Sequence, residues 1–341
     1  MTNKSKILVT GGLGYIGSHT VVELIESNYE VVIIDNLSNS TIDVLEGIQK
    51  ITGILPEFRN IDLKDFLSLE ILFKEFSFDG IIHFSAYKAI GESFEKPLDY
   101  YENNISTLIN LLKVYPKGNL IFSSSCTVYG QPSSMPVKDD FPTGRALSPY
   151  GNTKKVGEEI IQDYCDTNKA FNCISLRYFN PIGAHESLEI GEFPIGKPRN
   201  LIPFITQTAI GKREKLAVFG KDYDTPDGTC IRDYIHVVDL AKAHSLSLKR
   251  LLSSNTESNY ETFNLGSGKG NSILEIINTF EEVSGKKLNY TFAERRRGDI
   301  AEAYANTDKA KNTLNWQTEK SLEEAILSAW QWEQKIQKNN I

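Results

Sequence analysis

Three glycines at the turn between a strand-like run and a helical one constrain this chain more than any other feature. The apolar run Lys6 to Thr10 leads into Thr10-Gly-Gly-Leu-Gly-Tyr-Ile-Gly17. With no side chains at Gly11, Gly14 and Gly17, backbone and helix N-terminus can approach a pyrophosphate, whose charge the free N–H groups favour. A glycine triplet alone is weak evidence, because βα turns also use glycine for close packing. Here the next apolar run, Val31-Val-Ile-Ile-Asp35, ends in a carboxylate. A carboxylate there accepts from a ribose 2′-OH and repels a 2′-phosphate, so the pattern predicts a dinucleotide-binding βαβ unit that takes NAD rather than NADP.

The rest of the chain is consistent with that unit. Strand-like runs at Lys6 to Thr10, Val31 to Asp35, Glu57 to Ile61, Ile81 to Phe84, Leu120 to Ser123 and Cys173 to Phe179 alternate with longer amphipathic segments. This alternation predicts an α/β fold, a Rossmann-type doubly wound parallel sheet with ligands at the carboxyl ends of its strands. At 341 residues, 40% of them hydrophobic, the chain exceeds one typical domain, and two lobes are expected. From Pro181 to Asp233 it is richer in proline and glycine, and Gly220 to Gly228 reads as loops or a hairpin. Asp239 is a candidate N-cap for a helix through Leu252, Thr262 to Leu265 reads as a strand returning to the first lobe, and a closing helix is expected over Leu322 to Ile336. The expected division is residues 1–180, with 236–266, as the NAD-binding domain, and 181–235 with 267–341 as a smaller mixed α/β substrate lobe.

A second constellation carries chemistry. Ser125-Cys126-Thr127 is followed by Tyr150-Gly-Asn-Thr-Lys154. Pro149 opens a helical pattern with Val156, Ile160, Ile161 and Tyr164, so Tyr150 lies in a first turn and Lys154 stands on the same face. A phenol releases its proton near pH 10 and acts as a base at neutral pH only if its anion is stabilised, which a nearby ammonium can do. A Tyr and a Lys at this spacing also occur by chance as a solvated pair. The serine upstream and the nucleotide motif favour a hydride-transfer site with Tyr150, Lys154 and Ser125 as its catalytic groups.

Composition excludes other classes. With 37 basic against 44 acidic residues, a formal charge of −7, neither a nucleic-acid nor an anionic-membrane surface is expected. No apolar run reaches spanning length and the N-terminus has no signal-like core. The four cysteines, Cys126, Cys165, Cys173 and Cys230, have no CxxC spacing and read as reduced thiols, and the five histidines have no metal-ligand spacing. A cytoplasmic protein with no metal is expected.

Taken together, TGGLGYIGSH, IIDNLSNS, HFSAYKAIGES, FSSSCTVYG, SPYGNTK, LRYFNPIGAH, DGTCIRDYIHV, NLGSG and RRRGD resemble the extended short-chain dehydrogenase/reductase family and, within it, the UDP-glucose 4-epimerases, over nearly the whole chain. The resemblance implies that Tyr15, Ile16, Asn36, Asn39 and Ser40 join the glycines and Asp35 in holding NAD. It also implies that Asp62 and Leu63 flank the adenine, Phe84 and Lys88 the adenine ribose and diphosphate, and that Asn103 supports the site. Ser125, Tyr150 and Lys154 fall on the family's catalytic triad, with Thr127 beside the sugar and Tyr178, Phe179 and Asn180 beside nicotinamide and substrate. Asn200, Leu201, Ala217, Val218, Phe219, Arg232, Arg296 and Asp299 match positions that hold the UDP-sugar. Two phosphates favour guanidinium forks, although three consecutive arginines, Arg295 to Arg297, are also a common solvated face.

The implied reaction is C4 oxidation of UDP-galactose or UDP-glucose with bound NAD, Tyr150 acting as base with its pKa lowered by Lys154 and the nicotinamide charge, turning of the ketose about its diphosphate tether, and return of hydride. Alternatives are an epimerase acting mainly on UDP-N-acetylhexosamines, another nucleotide-sugar-modifying member such as a 4,6-dehydratase, or a NAD-bound regulatory protein. Dehydratases carry acidic residues where this chain has Cys126 and Thr127, and a regulatory relative is expected to have lost the triad. Two departures from the family pattern stand out. Ser85 and Tyr87 replace smaller or aliphatic neighbours, and Ala303 replaces a bulky tyrosine beside the sugar C2 substituent, leaving room for an N-acetyl group unless Tyr304 fills it. A homodimer pairing Tyr101 to Tyr115 with Pro149 to Cys165 across a twofold axis is also implied.

Overall fold

In the computed structural model, which describes residues 4–338, seven strands form one parallel sheet. The outermost residues of the two expected lobes, 1–3 and 339–341, lie outside the described residues. The strands are β1 (Lys6–Thr10), β2 (Glu30–Asp35), β3 (Glu57–Asn60), β4 (Gly80–His83), β5 (Gly118–Ser125), β6 (Phe171–Tyr178) and Tyr260–Leu265. Their spatial order is Tyr260–Leu265, β6, β5, β4, β1, β2, β3. The order reverses between β1 and β4, which opens a crevice at the strands' carboxyl ends. Both faces are buried, as continuous apolar strands require: Ile7 and Val9 enter one core cluster and Leu8 the other.

Helix α1 (Tyr15–Glu26) packs on one face against the helix Val237–Leu252, and Pro97–Val114 packs against Pro149–Thr167 on the other. The helix expected to be capped by Asp239 starts three residues earlier, at Val237. His236 is its N-cap, the Nδ1 atom accepting from the Val238 N–H at 3.1 Å. Asp239, one turn in, accepts instead from the backbone N–H groups of Glu319 and Lys320 at 3.1 and 2.9 Å. The strand Tyr260–Leu265 pairs with β6 and returns the chain to the first sheet.

The second lobe is built on short strands. Ile231–His236 is flanked by Asn180–Ile182, Gly270–Ser272 and Glu302–Ala303, while Leu216–Phe219 pairs in parallel with Tyr290–Ala293. A core cluster that includes Ile205, Val218, Ile276, Phe280 and Trp330 joins them to the helices Leu201–Ala209, Ile273–Ser284 and Leu322–Lys338. Gly220 to Gly228 is a loop closed by the Tyr223 N–H on the Gly228 carbonyl, not a hairpin. Among the described residues no helix is long and apolar enough to cross a membrane.

Candidate active site

One cleft of about 480 Å³ runs from the carboxyl ends of β1 and β2 to the second lobe. At its first end the glycine turn is closed on itself. Gly11 has φ +68°, a region that favours glycine, and a methyl group on Gly17 would stand 2.2 Å from the Gly11 carbonyl oxygen. Gly14 is the N-cap of α1 and supplies no side-chain cap, so the first N–H groups of the helix are left for an anion. Asp35, at the end of β2, is held by N–H groups of Leu13 and Leu37 and by the Ser40 hydroxyl, at 3.2, 3.0 and 2.9 Å. The neighbouring wall is Asn36, Ser38, Asn39 and Ser40, without a basic residue. These features fit NAD, because a 2′-phosphate would face a carboxylate with no cation beside it. Asp62 and Leu63 continue the wall, and Asn36 donates to Asp62 at 3.1 Å.

The middle of the cleft brings together β5, its 3₁₀ turn and the helix Pro149–Thr167. The Ser148 hydroxyl caps that helix on the Gly151 N–H, with Pro149 at its first position, which fixes Tyr150 in the first turn. Ser125 lies close enough to the Tyr150 phenol to favour its anion, and it accepts from the Thr127 hydroxyl at 3.0 Å. Lys154, 4% exposed, donates to the Ser123 carbonyl at 2.6 Å and stands 5.1 Å from the centre of the Phe122 ring. The Ser123 and Tyr178 hydroxyls share a hydrogen bond. Asn103 donates to Asn104, which in turn donates to Thr153 on the same helix at 2.9 Å.

In the protein alone, burial sets the electrostatics of this cluster. Burial pushes the Tyr150 phenol up to about 12, although the Ser125 hydroxyl pulls the other way. Burial also pulls the Lys154 amine down to about 7, with Glu158 working against it. The protein alone therefore does not lower the phenol, and the Lys154 amine has one of its donors on Ser123.

The far wall belongs to the second lobe. Arg232 and Arg296 enter the cleft, and Asp299 holds both guanidinium groups: Arg296 donates to it at 3.2 and 2.9 Å, and Arg232 lies 3.8 Å away. Two forks side by side suit a diphosphate. Ala303, 8% exposed, lines the cleft opposite Cys126 and Phe179 in one apolar cluster. Tyr304 does not fill its place: that ring packs on Gly270, where an added methyl group would stand 3.0 Å from it.

The cleft collects Gly11, Gly14, Tyr15, Ile16, Gly17, Phe84, Lys88, Asn103, Thr127, Tyr178, Phe179, Asn180 and Asn200 from the sequence reading along with the residues already named. Leu201, Ala217, Val218 and Phe219 are not part of its lining; Val218 is buried in the second-lobe core, and Phe219 is exposed with Arg296 over its ring. Ser85 packs on the Gly11 turn and Tyr87 tilts against Tyr100.

Sequence reasoning missed a pair of charged contacts across the cleft. Lys88 lies 3.7 Å from Glu192, which accepts from Asn200 at 2.5 Å, and Arg199 donates to Glu92, the Nη2 contact at 3.0 Å. No periodicity or local spacing marks partners about a hundred residues apart. No group of three or more His, Cys, Asp or Glu among the described residues is arranged to hold a metal.

A model of the GDP-mannose 4,6 dehydratase family matches residues 8–328. The UDP-glucose 4-epimerase of Bacillus subtilis is 48% identical over 330 residues, 96% of each chain. Among solved structures, the UDP-glucose 4-epimerase of Bifidobacterium longum in complex with NAD+ and UDP superposes with a TM-score of 0.93 at 42% identity, covering 97% of this chain and 98% of that one. The UDP-Glc/GlcNAc 4-epimerase of Campylobacter jejuni superposes with a TM-score of 0.83 at 37% identity, covering 97% and 99%.

Proposed function

The chain belongs to the GDP-mannose 4,6 dehydratase family of extended short-chain dehydrogenase/reductases, with UDP-glucose 4-epimerases as its relatives, and on that premise we propose that it interconverts UDP-galactose and UDP-glucose. The observation that carries this reading is that one cleft joins a dinucleotide turn, a buried Ser125–Tyr150–Lys154 cluster and a double-arginine wall.

NAD held on the glycine turn supplies a hydride acceptor and donor at the sugar C4. The chain's own groups do the rest. Tyr150, with the Ser125 hydroxyl favouring its anion, takes the proton of the 4-OH and later returns it. Lys154, tethered to Ser123, would hold the cofactor ribose from the same helix face as Tyr150, and its charge together with that of the nicotinamide would favour the phenolate. Arg232 and Arg296 grip the diphosphate, while Ala303, Phe179 and Cys126 leave the sugar an apolar wall with few polar anchors. A firmly held diphosphate and a loosely held sugar are what a ketose needs in order to present its other face.

A dehydratase would need a further acid and base beside Tyr150. The carboxylates of the cleft are Asp35, Asp62, Glu92, Glu192 and Asp299, and each is already engaged: Asp35 and Asp62 by neighbouring donors, the other three by cationic partners. Burial raises the Cys126 thiol to about 12, so it does not substitute for a base.

The room beside Ala303 supports UDP-N-acetylglucosamine and UDP-N-acetylgalactosamine as further substrates, a pair to which the name of the Campylobacter relative is akin. The packed helices Pro97–Val114 and Pro149–Thr167 offer the face for a homodimer, and four free thiols suit a reducing cytoplasm. Residues 1–180 with 236–266 as the NAD-binding part, and the remainder as the UDP-sugar part, is the division that goes with this reading.

The test is incubation of the purified protein with UDP-galactose, without added NAD, followed by NMR. Appearance of UDP-glucose is expected; unchanged substrate even after NAD is supplied overturns the assignment.

A further inference from the structure

We propose that Glu158 is a positioning residue of this active site, holding Lys154 and the serine strand in place through its buried pair with Arg177. The proposal rests on the epimerase reading only for its kinetic readout.

The residue stands on the catalytic helix one turn beyond Lys154 and two turns beyond Tyr150, and its side chain is 6% exposed. Its carboxylate is fully engaged. Arg177 donates to it from Nε at 2.9 and 3.2 Å and from Nη2 at 2.7 Å, and the Ser124 hydroxyl donates at 2.5 Å.

The register of the sheet gives these contacts meaning. Ser124 and Arg177 are direct partners in the β5–β6 pair, and so are Ser125 and Tyr178. Side chains alternate along a strand, so Ser124 and Arg177 leave one face of the pair while Ser123, Ser125 and Tyr178 leave the other. Glu158 therefore ties the helix that carries Tyr150 and Lys154 to both strands, at the level where Ser125 leaves their other face. Behind Arg177 the network continues through Tyr129, at 2.9 Å, to Asn264, at 2.8 Å.

Stability alone is a poor reason for such a pair, because well-packed apolar residues serve at least as well. Its neighbour suggests a better one. Lys154 faces the Ser123 carbonyl and the Phe122 ring on β5 and neutral His83 on β4, with Glu158 as its one anionic influence. Glu158 in turn faces Arg177 and Ser124, with Tyr129, Tyr260 and Cys173 feeling its charge. Removing that charge leaves burial unopposed on Lys154, and the lysine loses its proton at lower pH.

The experiment is competitive acetic anhydride labelling of Lys154, followed by mass spectrometry across pH on the protein as purified, together with the pH dependence of kcat. For Glu158→Gln, the Lys154 midpoint and the alkaline limb of kcat are both expected to move down by about one pH unit. The kcat is expected to fall about 10-fold or more, with KM changed less than about 3-fold. Glu158→Asp keeps the charge and is expected to restore the midpoint while turnover stays below wild type.

Arg250–Glu261 is an ion pair of like burial, 9% and 7% exposed, that does not line the cleft. Glu261→Gln serves as the structural control, expected to lower Tm without moving either midpoint. If Glu158→Gln behaves like that control, or if Glu158→Asp matches wild type in every readout, the proposal is overturned. The labelling arm needs no substrate, so it stands apart from failure of the epimerase assignment, which shows as an inactive wild type.

Discussion

Lys154 ties helix to strand by donating to the Ser123 carbonyl oxygen at 2.6 Å, two residues from the Ser125 hydroxyl that favours the Tyr150 anion. The lysine acts first as a strut, fixing the catalytic helix against the strand that carries Ser125.

Replacement of Tyr150 by Phe removes the acid–base group but little volume. Turnover is expected to fall by about 10²- to 10⁴-fold, with the Kd for UDP within about 3-fold of wild type because Arg232 and Arg296 are untouched. Steady-state kinetics and calorimetric UDP titration check the two halves separately.

Stability should depend on pH in a way that Lys154 explains. Its folded value of about 7 lies below the ordinary lysine range, so between about pH 7 and 10 the unfolded chain holds a proton that the folded one has released. The penalty for burying the ammonium is full below pH 7 and fades as pH rises. Tyr150, raised to about 12, reverses the slope above about pH 10, where the unfolded phenol ionises first. Without cofactor, Lys154→Met is expected to be the more stable protein at pH 7, by on the order of a few kcal/mol, and to show a flatter profile. Thermal unfolding of the two proteins across pH checks it.

The Arg296 guanidinium is held in place by Asp299. Its replacement by Ala removes a charge-assisted fork worth roughly 1.5–3 kcal/mol, so KM for UDP-galactose should rise about 10- to 100-fold with kcat little changed. A fall in kcat alone would place Arg296 outside the diphosphate site.

Refilling the space at position 303 is the test of substrate range. Ala303→Tyr is expected to lower kcat/KM for UDP-N-acetylgalactosamine by about 10-fold or more, through steric exclusion, while UDP-galactose stays within about 3-fold. Equal losses on both substrates would show that position 303 does not select.

The legible parts of this molecule are those governed by local rules. The glycine turn, the Asp35 carboxylate and the Tyr150–Lys154 helix face follow from backbone sterics and helical spacing, and all line the cleft. Asp239 was misread because aspartate is a good N-cap by type, yet a loop some eighty residues away recruits its carboxylate and leaves the cap to His236. Burial, which pushes the Tyr150 phenol up in the protein alone, is a property of the finished fold and has no local sequence signal. Glu92–Arg199 and Lys88–Glu192 were invisible for a similar reason, since their partners meet only when the lobes are in place.

Deuterium labelling asks most directly whether C4 is oxidised and restored within one site. UDP-galactose carrying deuterium at C4 is converted in ordinary water, and the UDP-glucose formed is examined by NMR and mass spectrometry. Retention of the label at C4 in essentially every product molecule is the expected result, because the same cleft takes and returns it. Loss of the label to solvent, or conversion without any change at C4, would contradict the mechanism.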